Sequence, residues 1–198
     1  MNYVEEWKKE ELNWSLKYYI DLLKEYNQVL EDTKMSCSYH NDRYYFINTK
    51  GMSEEECRNE SKRLYEIEKS FKMEHKGALA TMEKFIVRDR DNCGYETYAT
   101  TIDNDGYKHE YKCYKSQYKL DEEKAIEVLT KLIDKHFETL QAKVEKKIGK
   151  IIKIESLGGS DYSFIGELDK CNVEVILAGG YNIQRLHTRW IITKNLNR

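Results

Sequence analysis

The sequence predicts an α+β fold with three long helices, a β-hairpin and a C-terminal antiparallel β-meander. Apolar residues recur every three or four positions in three long segments and every second position in the others. The 198 residues include no proline, so no proline ring interrupts a helix. We expect residues 1–120 to form a helical region with an inserted β-hairpin. Residues 121–198 are expected to form a long helix followed by the sheet, and both parts to belong to one compact domain.

The first helix is predicted over residues 4–31 by an apolar stripe with alternating spacings of four and three. Its members are Leu12, Leu16, Tyr19, Leu23, Tyr26 and Leu30. Such a stripe packs along its length against another helix. We expect that helix to belong to the same chain. The alternative is a coiled coil between two copies, which would make the protein a homodimer.

A second helix is predicted to begin at a capping box of Ser53 and Glu56, with Met52 and Cys57 as its hydrophobic staple. Gly77 is expected to bend or end this helix. The apolar row contains Leu64, Ile67, Phe71, His75, Leu79, Met82 and Ile86.

Strand-like segments flank the second helix. Before it, residues 35–49 are polar and aromatic, and residues 44–46 favour a short strand. After it, residues 94–115 alternate on both sides of the turn-forming run 103–106, which contains Asp, Asn, Asp and Gly. This pattern predicts a β-hairpin.

The third helix is predicted to begin after Asp121, which is placed as its N-cap, and to end at Gly149 in a left-handed cap. Glu122 and Glu123 lie in its first turn. Its apolar stripe contains Ile126, Leu129, Ile133, Phe137, Leu140, Val144 and Ile148. His136 lies on this stripe and is predicted to be a core histidine. Four strands are predicted to follow, over residues 150–155, 162–167, 173–178 and 182–193.

The last hairpin carries the candidate binding residues. A two-residue turn at Gly179-Gly180 predicts a register that pairs Glu174 with Arg185, Val173 with Leu186 and Asn172 with His187. One face is then open, and the other, which includes Trp190, faces the core. An open face with two arginines and a histidine can hold a phosphate or an acidic partner. A solvated face with a Glu174–Arg185 pair is the alternative interpretation. The candidate binding residues are Tyr181, Asn182, Gln184, Arg185, His187 and Arg189.

The same stretch resembles the end of small uncharacterised proteins of phages and prophages. The resemblance rests on the run 178–184 and on a His and an Arg that follow it, spaced by one residue. It covers about the last 50 residues and the helix before them, and it implies phage origin without a mechanism. The residues that carry it are Gly179, Gly180, Tyr181, Asn182, Gln184, His187 and Arg189.

Charge and cysteine usage predict a cytoplasmic protein without a membrane partner, in the host cell if the protein is phage-encoded. The net charge is −2, although residues 141–198 contain ten Lys and Arg against six Asp and Glu. No segment approaches the roughly 18 apolar residues of a membrane span. Residues 1–12 lack an apolar signal core. The five cysteines are irregularly spaced, which is typical of reduced thiols.

The sequence motifs predict no cofactor, no metal and no catalytic residues. Residues 103–106 resemble part of a calcium loop, but its register would need acids at positions 101 and 112. A zinc site of Cys37, His40, His109 and Cys113 is a minor alternative to buried thiols. No glycine-rich phosphate loop, nucleophile elbow or zinc-protease motif is present.

These observations favour a non-enzymatic phage accessory protein. It is expected to bind a host or phage macromolecule, with inhibition of a host defence process as one role. The first alternative is a nucleic-acid-binding module that uses the basic sheet face, with Lys146, Lys147 and Lys150 beside Arg185 and Arg189. The second is a small enzyme or nucleotide-binding protein centred on the C-terminal hairpin.

Overall fold

The protein is an α+β molecule, as the sequence predicts. A computed structural model describes residues 3–33, 38–40, 43–45, 54–102, 106, 108–158, 161–168, 171–177 and 186–194. Over these ranges blocks of helices alternate along the chain with blocks of strands, and the strands pair antiparallel. The predicted fold class is confirmed.

The described helices comprise three long ones and one short one. They are α1 (Tyr3–Thr33), α2 (Glu54–Glu74), α3 (Lys76–Met82) and α4 (Glu122–Ile148). The backbone N–H of Lys124 donates a hydrogen bond of 3.2 Å to Oδ1 of Asp121, which confirms the predicted N-cap of α4.

Ten strands in the described ranges form three two-stranded sheets and one four-stranded sheet. The small sheets pair β1 with β2, β3 with β6, and β4 with β5, the predicted hairpin. The large sheet is an antiparallel meander in the order β10-β9-β8-β7. The strands are β1 (Ser38–His40), β2 (Arg43–Tyr45), β3 (Ile86–Arg88), β4 (Gly94–Ile102), β5 (Lys108–Lys115), β6 (Tyr118–Leu120), β7 (Lys150–Gly158), β8 (Asp161–Leu168), β9 (Cys171–Leu177) and β10 (Leu186–Lys194).

The chain divides into two compact units. One contains residues 1–16 and 126–198, and the other contains residues 17–125. The sequence favours one compact domain whose two parts meet between residues 120 and 121. This organisation stays a prediction.

The unit of residues 17–125 is held together by aromatic contacts along α1. The ring of Tyr19 lies 5.2 Å from that of Phe85, and the ring of Tyr26 lies 6.1 Å from that of Phe71 and 5.9 Å from that of Tyr118. These contacts place the apolar stripe of α1 against other elements of the same chain.

Asn27 fixes the position of β6 beside α1. Its side-chain amide donates a hydrogen bond of 2.7 Å to the carbonyl oxygen of Tyr118 and accepts one of 2.9 Å from the N–H of Tyr118. One polar side chain thus satisfies both backbone groups of a residue in a short strand.

In the unit of residues 1–16 and 126–198, α4 and the start of α1 pack on one face of the four-stranded sheet. The sheet contributes alternate residues to the core, because successive side chains of a strand point to opposite faces. Phe164, Val173, Val175 and Leu177 are buried on this face, together with Val144 and Ile148 of α4.

Two details of the predicted helices are wrong. The helix is interrupted near Gly77, as expected, because α2 ends at Glu74 and α3 follows after His75. Ile86, however, which the sequence places on the apolar row of this helix, lies in β3. On α4, Ile126 is 44% exposed, and Ala125 is buried instead. Ala125 lies four residues before the buried Leu129, so a small rotation of the stripe along the helix explains the exchange. The predicted capping residue Ser53 lies outside the described residues, immediately before α2.

Candidate functional site

An open groove lies between the first turns of α1 and strand β7. Its volume is about 710 Å³. The residues that line it come from the N-terminal part of α1, from the middle of β7 and from the start of β8. They are Tyr3, Glu6, Trp7, Glu10, Lys153, Ile154, Glu155, Ser156, Leu157 and Tyr162. The four α1 residues are spaced by three, one and three positions, so they occupy one face of the helix.

The order of the contacts along this groove indicates that α1 and β7 run in the same direction. At one end, Tyr3 and Lys153 both line the groove. Farther along, the ring of Trp7 lies 5.9 Å from that of Tyr162, which pairs with Ser156 in the sheet. The groove is therefore a channel with a helix as one wall and a strand as the other.

The floor of the groove is aromatic. Trp7 is 3% exposed and Tyr162 is 1% exposed. The Trp7 ring also lies 5.1 Å from the Phe137 ring and is stacked 6.3 Å from that of His136. Among the described residues no acceptor receives a hydrogen bond from Nε1 of Trp7. The floor can thus support an apolar or planar group.

The charges at the rim of the groove are mostly negative. Glu6 and Glu10 are exposed on α1, and neither has an ion-pair partner within the described part of the chain. On β7, Glu155 forms an ion pair with Lys153. The hydrogen bond to Glu155, together with the charges of Glu155 and Tyr3, raises the pKa of Lys153 above its ordinary value. Among the described residues of the groove, the lysine is therefore paired, whereas the carboxylates of Glu6 and Glu10 are not.

Strand β7 is an edge strand of the four-stranded sheet. Its pairing with β8 is irregular around Ile152 and regular from Lys153 to Ser156, the segment that lines the groove. On its other side it pairs with no strand of the described ranges. An edge strand presents a row of backbone N–H and C=O groups that another chain can use.

The groove therefore has the parts of a binding surface. Within the described residues, no three His, Cys, Asp or Glu side chains are placed to hold a metal ion. The polar groups that converge on the groove are carboxylates, one paired lysine and the edge of a strand. These groups can form ion pairs and backbone hydrogen bonds with a bound chain.

Most of the binding residues predicted from the sequence cannot be compared with this groove. Tyr181, Asn182, Gln184 and Arg185 lie outside the described residues. His187 and Arg189 belong to β10, and their side chains are outside the described part of the structure.

The predicted register of the last hairpin is wrong by four positions. Leu186 pairs with Leu177, not with Val173, and His187 pairs with Ile176 in place of Asn172. Glu174, the predicted partner of Arg185, lies opposite Arg189. Eight residues separate the paired residues 177 and 186, so this register does not agree with a two-residue turn, and Gly179-Gly180 itself lies outside the described residues. A shift of the pairing register by an even number of residues leaves each side chain on the same face of the sheet, because side chains alternate with a period of two.

The sheet face that the sequence predicts to be basic carries both signs of charge in its described part. Lys150 lies opposite Glu167, and Lys153 is paired with Glu155. Ser163 is fully buried and donates a hydrogen bond to the carboxylate of Glu174. Acids are therefore interleaved with the lysines on this face.

The residues of the two metal-site motifs lie outside the described part of the structure. This holds for the side chains of the minor zinc alternative, at positions 37, 40, 109 and 113, and for residues 103–105 of the run that resembles a calcium loop.

Sequence reasoning missed the groove because its helix wall precedes the apolar stripe of α1. The stripe begins at Leu12, but the buried line of α1 begins at Trp7 and continues through Glu11 and Ser15. Two polar residues at buried positions hide this line from a hydrophobic pattern. Trp7 itself was the available signal, since tryptophan is highly buried on average.

The comparisons with known proteins supply no relative. No protein-family model, curated protein or solved structure matches this chain. None of the helices in the described ranges is long and apolar enough to cross a membrane.

Proposed function

We propose that this chain is a non-enzymatic accessory protein that binds another protein through the groove between α1 and β7. The observation that carries the proposal is one channel with an aromatic floor, two carboxylates and a strand edge, and neither the carboxylates nor the edge has a partner among the described residues. Such a channel offers shape, charge and backbone hydrogen bonds to a protein partner.

We further propose that the protein is of phage origin and acts in the host cytoplasm on a host or phage protein. The support is the similarity of residues 178–189 to the ends of small phage and prophage proteins. Inhibition of a host defence process is the role we favour, since a binding protein can inhibit its target by covering a surface of it.

The experiment that tests the proposal is quantitative affinity capture from bacterial cells that express the tagged full-length chain. The groove variant carries Glu6→Lys and Glu10→Lys. The matched control carries Glu5→Lys and Glu138→Lys, which change the same charge at exposed positions of α1 and α4 outside the groove. We expect one partner to be enriched by the wild type and by the control, and lost by the groove variant. Equal capture by all three forms would contradict the proposal.

The nucleic-acid alternative stays a prediction and has a separate test. If the C-terminal face binds phosphates, affinity for DNA or RNA should fall steeply with added salt, and Arg185→Ala with Arg189→Ala should abolish it. The mixed charges of Lys150, Lys153, Glu155, Glu167 and Glu174 do not favour this function. The enzyme or nucleotide-binding alternative and the homodimer through α1 also stay predictions.

A further inference from the structure

We infer that the occupant of the groove is an extended segment of a partner protein, which adds as a strand to the edge of β7 and carries two basic residues separated by one. This inference rests on the proposed function, because it specifies how the same groove binds its partner. Three features of the groove lead to it: the edge of β7, the direction of α1, and the spacing of two carboxylates that have no partner among the described residues.

The backbone of β7 offers hydrogen-bonding groups to an added strand. The segment from Lys153 to Ser156 is the regular part of this edge strand, and it is also the part that forms the wall of the groove. A peptide in the groove would lie about 4.8 Å from β7, the ordinary distance between paired strands. Recognition by strand addition takes its affinity from backbone hydrogen bonds and its specificity from alternate side chains.

The side chains of the added strand would point alternately to its two sides. Those on one side of it point toward α1, where Glu6 and Glu10 lie four residues apart. Four helical residues rise about 6 Å, and two strand residues span about 6.7 Å. Because α1 and β7 run in the same direction, alternate residues of the added strand match the two carboxylates in spacing. Lys or Arg at these two positions would pair with Glu6 and Glu10.

The charges that line the groove determine which charged side chains a bound segment can carry. Glu155 is held by Lys153, so the only carboxylates of the groove left without a partner among the described residues are those on α1. A segment with acidic residues at the two positions would place like charges together. The groove is therefore selective for basic segments.

The test uses defined peptides and the full-length chain, observed by NMR. The probe is an acetylated and amidated ten-residue peptide of alternating Val and Lys. The first control peptide replaces each Lys by Glu, and the second keeps Val and Lys but carries N-methyl groups on its four central residues, which removes their backbone donors. We expect the probe alone to shift the backbone amides of residues 153–157 and the indole N–H of Trp7. Alternate amides of residues 153–157 should exchange with solvent about tenfold more slowly in the complex.

The charge requirement has its own pair of variants. Glu6→Gln with Glu10→Gln should weaken binding of the Val-Lys probe by about two- to thirtyfold, the range for two exposed ion pairs. Glu5→Gln with Glu138→Gln should leave binding unchanged. Added salt should weaken binding to the wild type more than to the Glu6 and Glu10 variant.

Several results would overturn the inference. They are no binding of the probe, equal binding of either control peptide, or binding without protection of any amide of β7. Protection of these amides that grows with protein concentration in the absence of peptide would assign the edge to a second copy of this chain instead. If cellular capture depends on the groove but the probe does not bind, the proposed function stands and the extended-strand inference fails. If the probe binds as expected but capture is independent of the groove, the proposed function fails.

Discussion

Gly149 shows how a single residue controls the geometry of the sheet unit. It follows α4 directly, and its φ of +71° lies in the left-handed region. A Cβ at this position would also collide with the backbone oxygen of Glu167. The helix can therefore end here, and the chain can turn into β7, only because this residue has no side chain.

Substitution by alanine is expected to have opposite effects on stability at two glycines of the chain. Gly149→Ala should destabilise the protein by at least about 1–2 kcal/mol, because a left-handed L-residue is strained and the Cβ has no space. Gly77→Ala is the matched control, since Gly77 lies in α3 and nothing is within 4 Å of its added Cβ. It should stabilise α3 by about 0.5–1 kcal/mol. Urea unfolding of both variants measures the two effects. Destabilisation of equal size by both would contradict the assignment of Gly149 as a cap.

His136 is a half-buried residue whose protonation state depends on folding. Burial, with a smaller effect of the Lys143 charge, lowers the pKa of His136 below its ordinary value of 6.5. Its ring is stacked on that of Trp7. The folded chain therefore favours the neutral imidazole. Below pH 6.5 the unfolded chain binds more protons at this position than the folded chain does.

We therefore expect this histidine to reduce stability as the pH falls. Its stabilising contribution is complete above pH 6.5 and is lost as the pH falls from there toward the lowered folded-state pKa. His136→Gln should make the free energy of unfolding less dependent on pH over this interval. Chemical denaturation between pH 7.5 and pH 5 checks the slope. An unchanged slope in the variant would show that His136 does not titrate differently in the two states.

At the scale of elements, α1 changes role along its length. Its first turns supply Trp7 to the core beside the sheet and form one wall of the groove. Its later turns supply Leu22 and Leu23 to the core of the unit of residues 17–125. The hydrophobic effect on one face thus anchors the helix, while Glu6 and Glu10 remain available at the rim.

Trp7→Ala should cost about 3–5 kcal/mol, as truncations of large buried aromatics do. Trp14→Ala is the comparison on the same helix, because Trp14 is 51% exposed, and it should cost less than about 1 kcal/mol. Thermal and urea unfolding of both variants measure the difference. A small cost for Trp7→Ala would mean that the floor of the groove is not part of the core.

At the scale of the whole molecule, the chain depends on both ends of α1. Residues 1–16 belong to one compact unit and residues 17–33 to the other. Within the second unit, Tyr19 and Tyr26 contact Phe85, Phe71 and Tyr118. Removal of the helix therefore takes core residues from both units.

We expect a chain that lacks residues 1–31 to be unfolded or insoluble, and the full-length chain to be monomeric without a partner. Circular dichroism and analytical ultracentrifugation of both forms provide the check. A truncated chain that stays folded and changes from dimer to monomer would favour the coiled-coil alternative. A dimer that survives the truncation would exclude α1 as its interface.

The periodicity of the sequence determined the elements, whereas only the tertiary structure decided which of them meet. The stripe of α4, the cap at Asp121 and the hairpin of β4 and β5 follow from local patterns, because each depends on neighbours in the sequence. The register of β10 does not, since alternation with a period of two assigns faces and leaves an even shift undetermined. The groove is also a tertiary feature: Trp7 and Glu10 meet Lys153 and Ser156 only when the first helix packs beside the edge of the last sheet. Contacts between residues so distant in sequence depend on packing of the whole core, which no local pattern encodes.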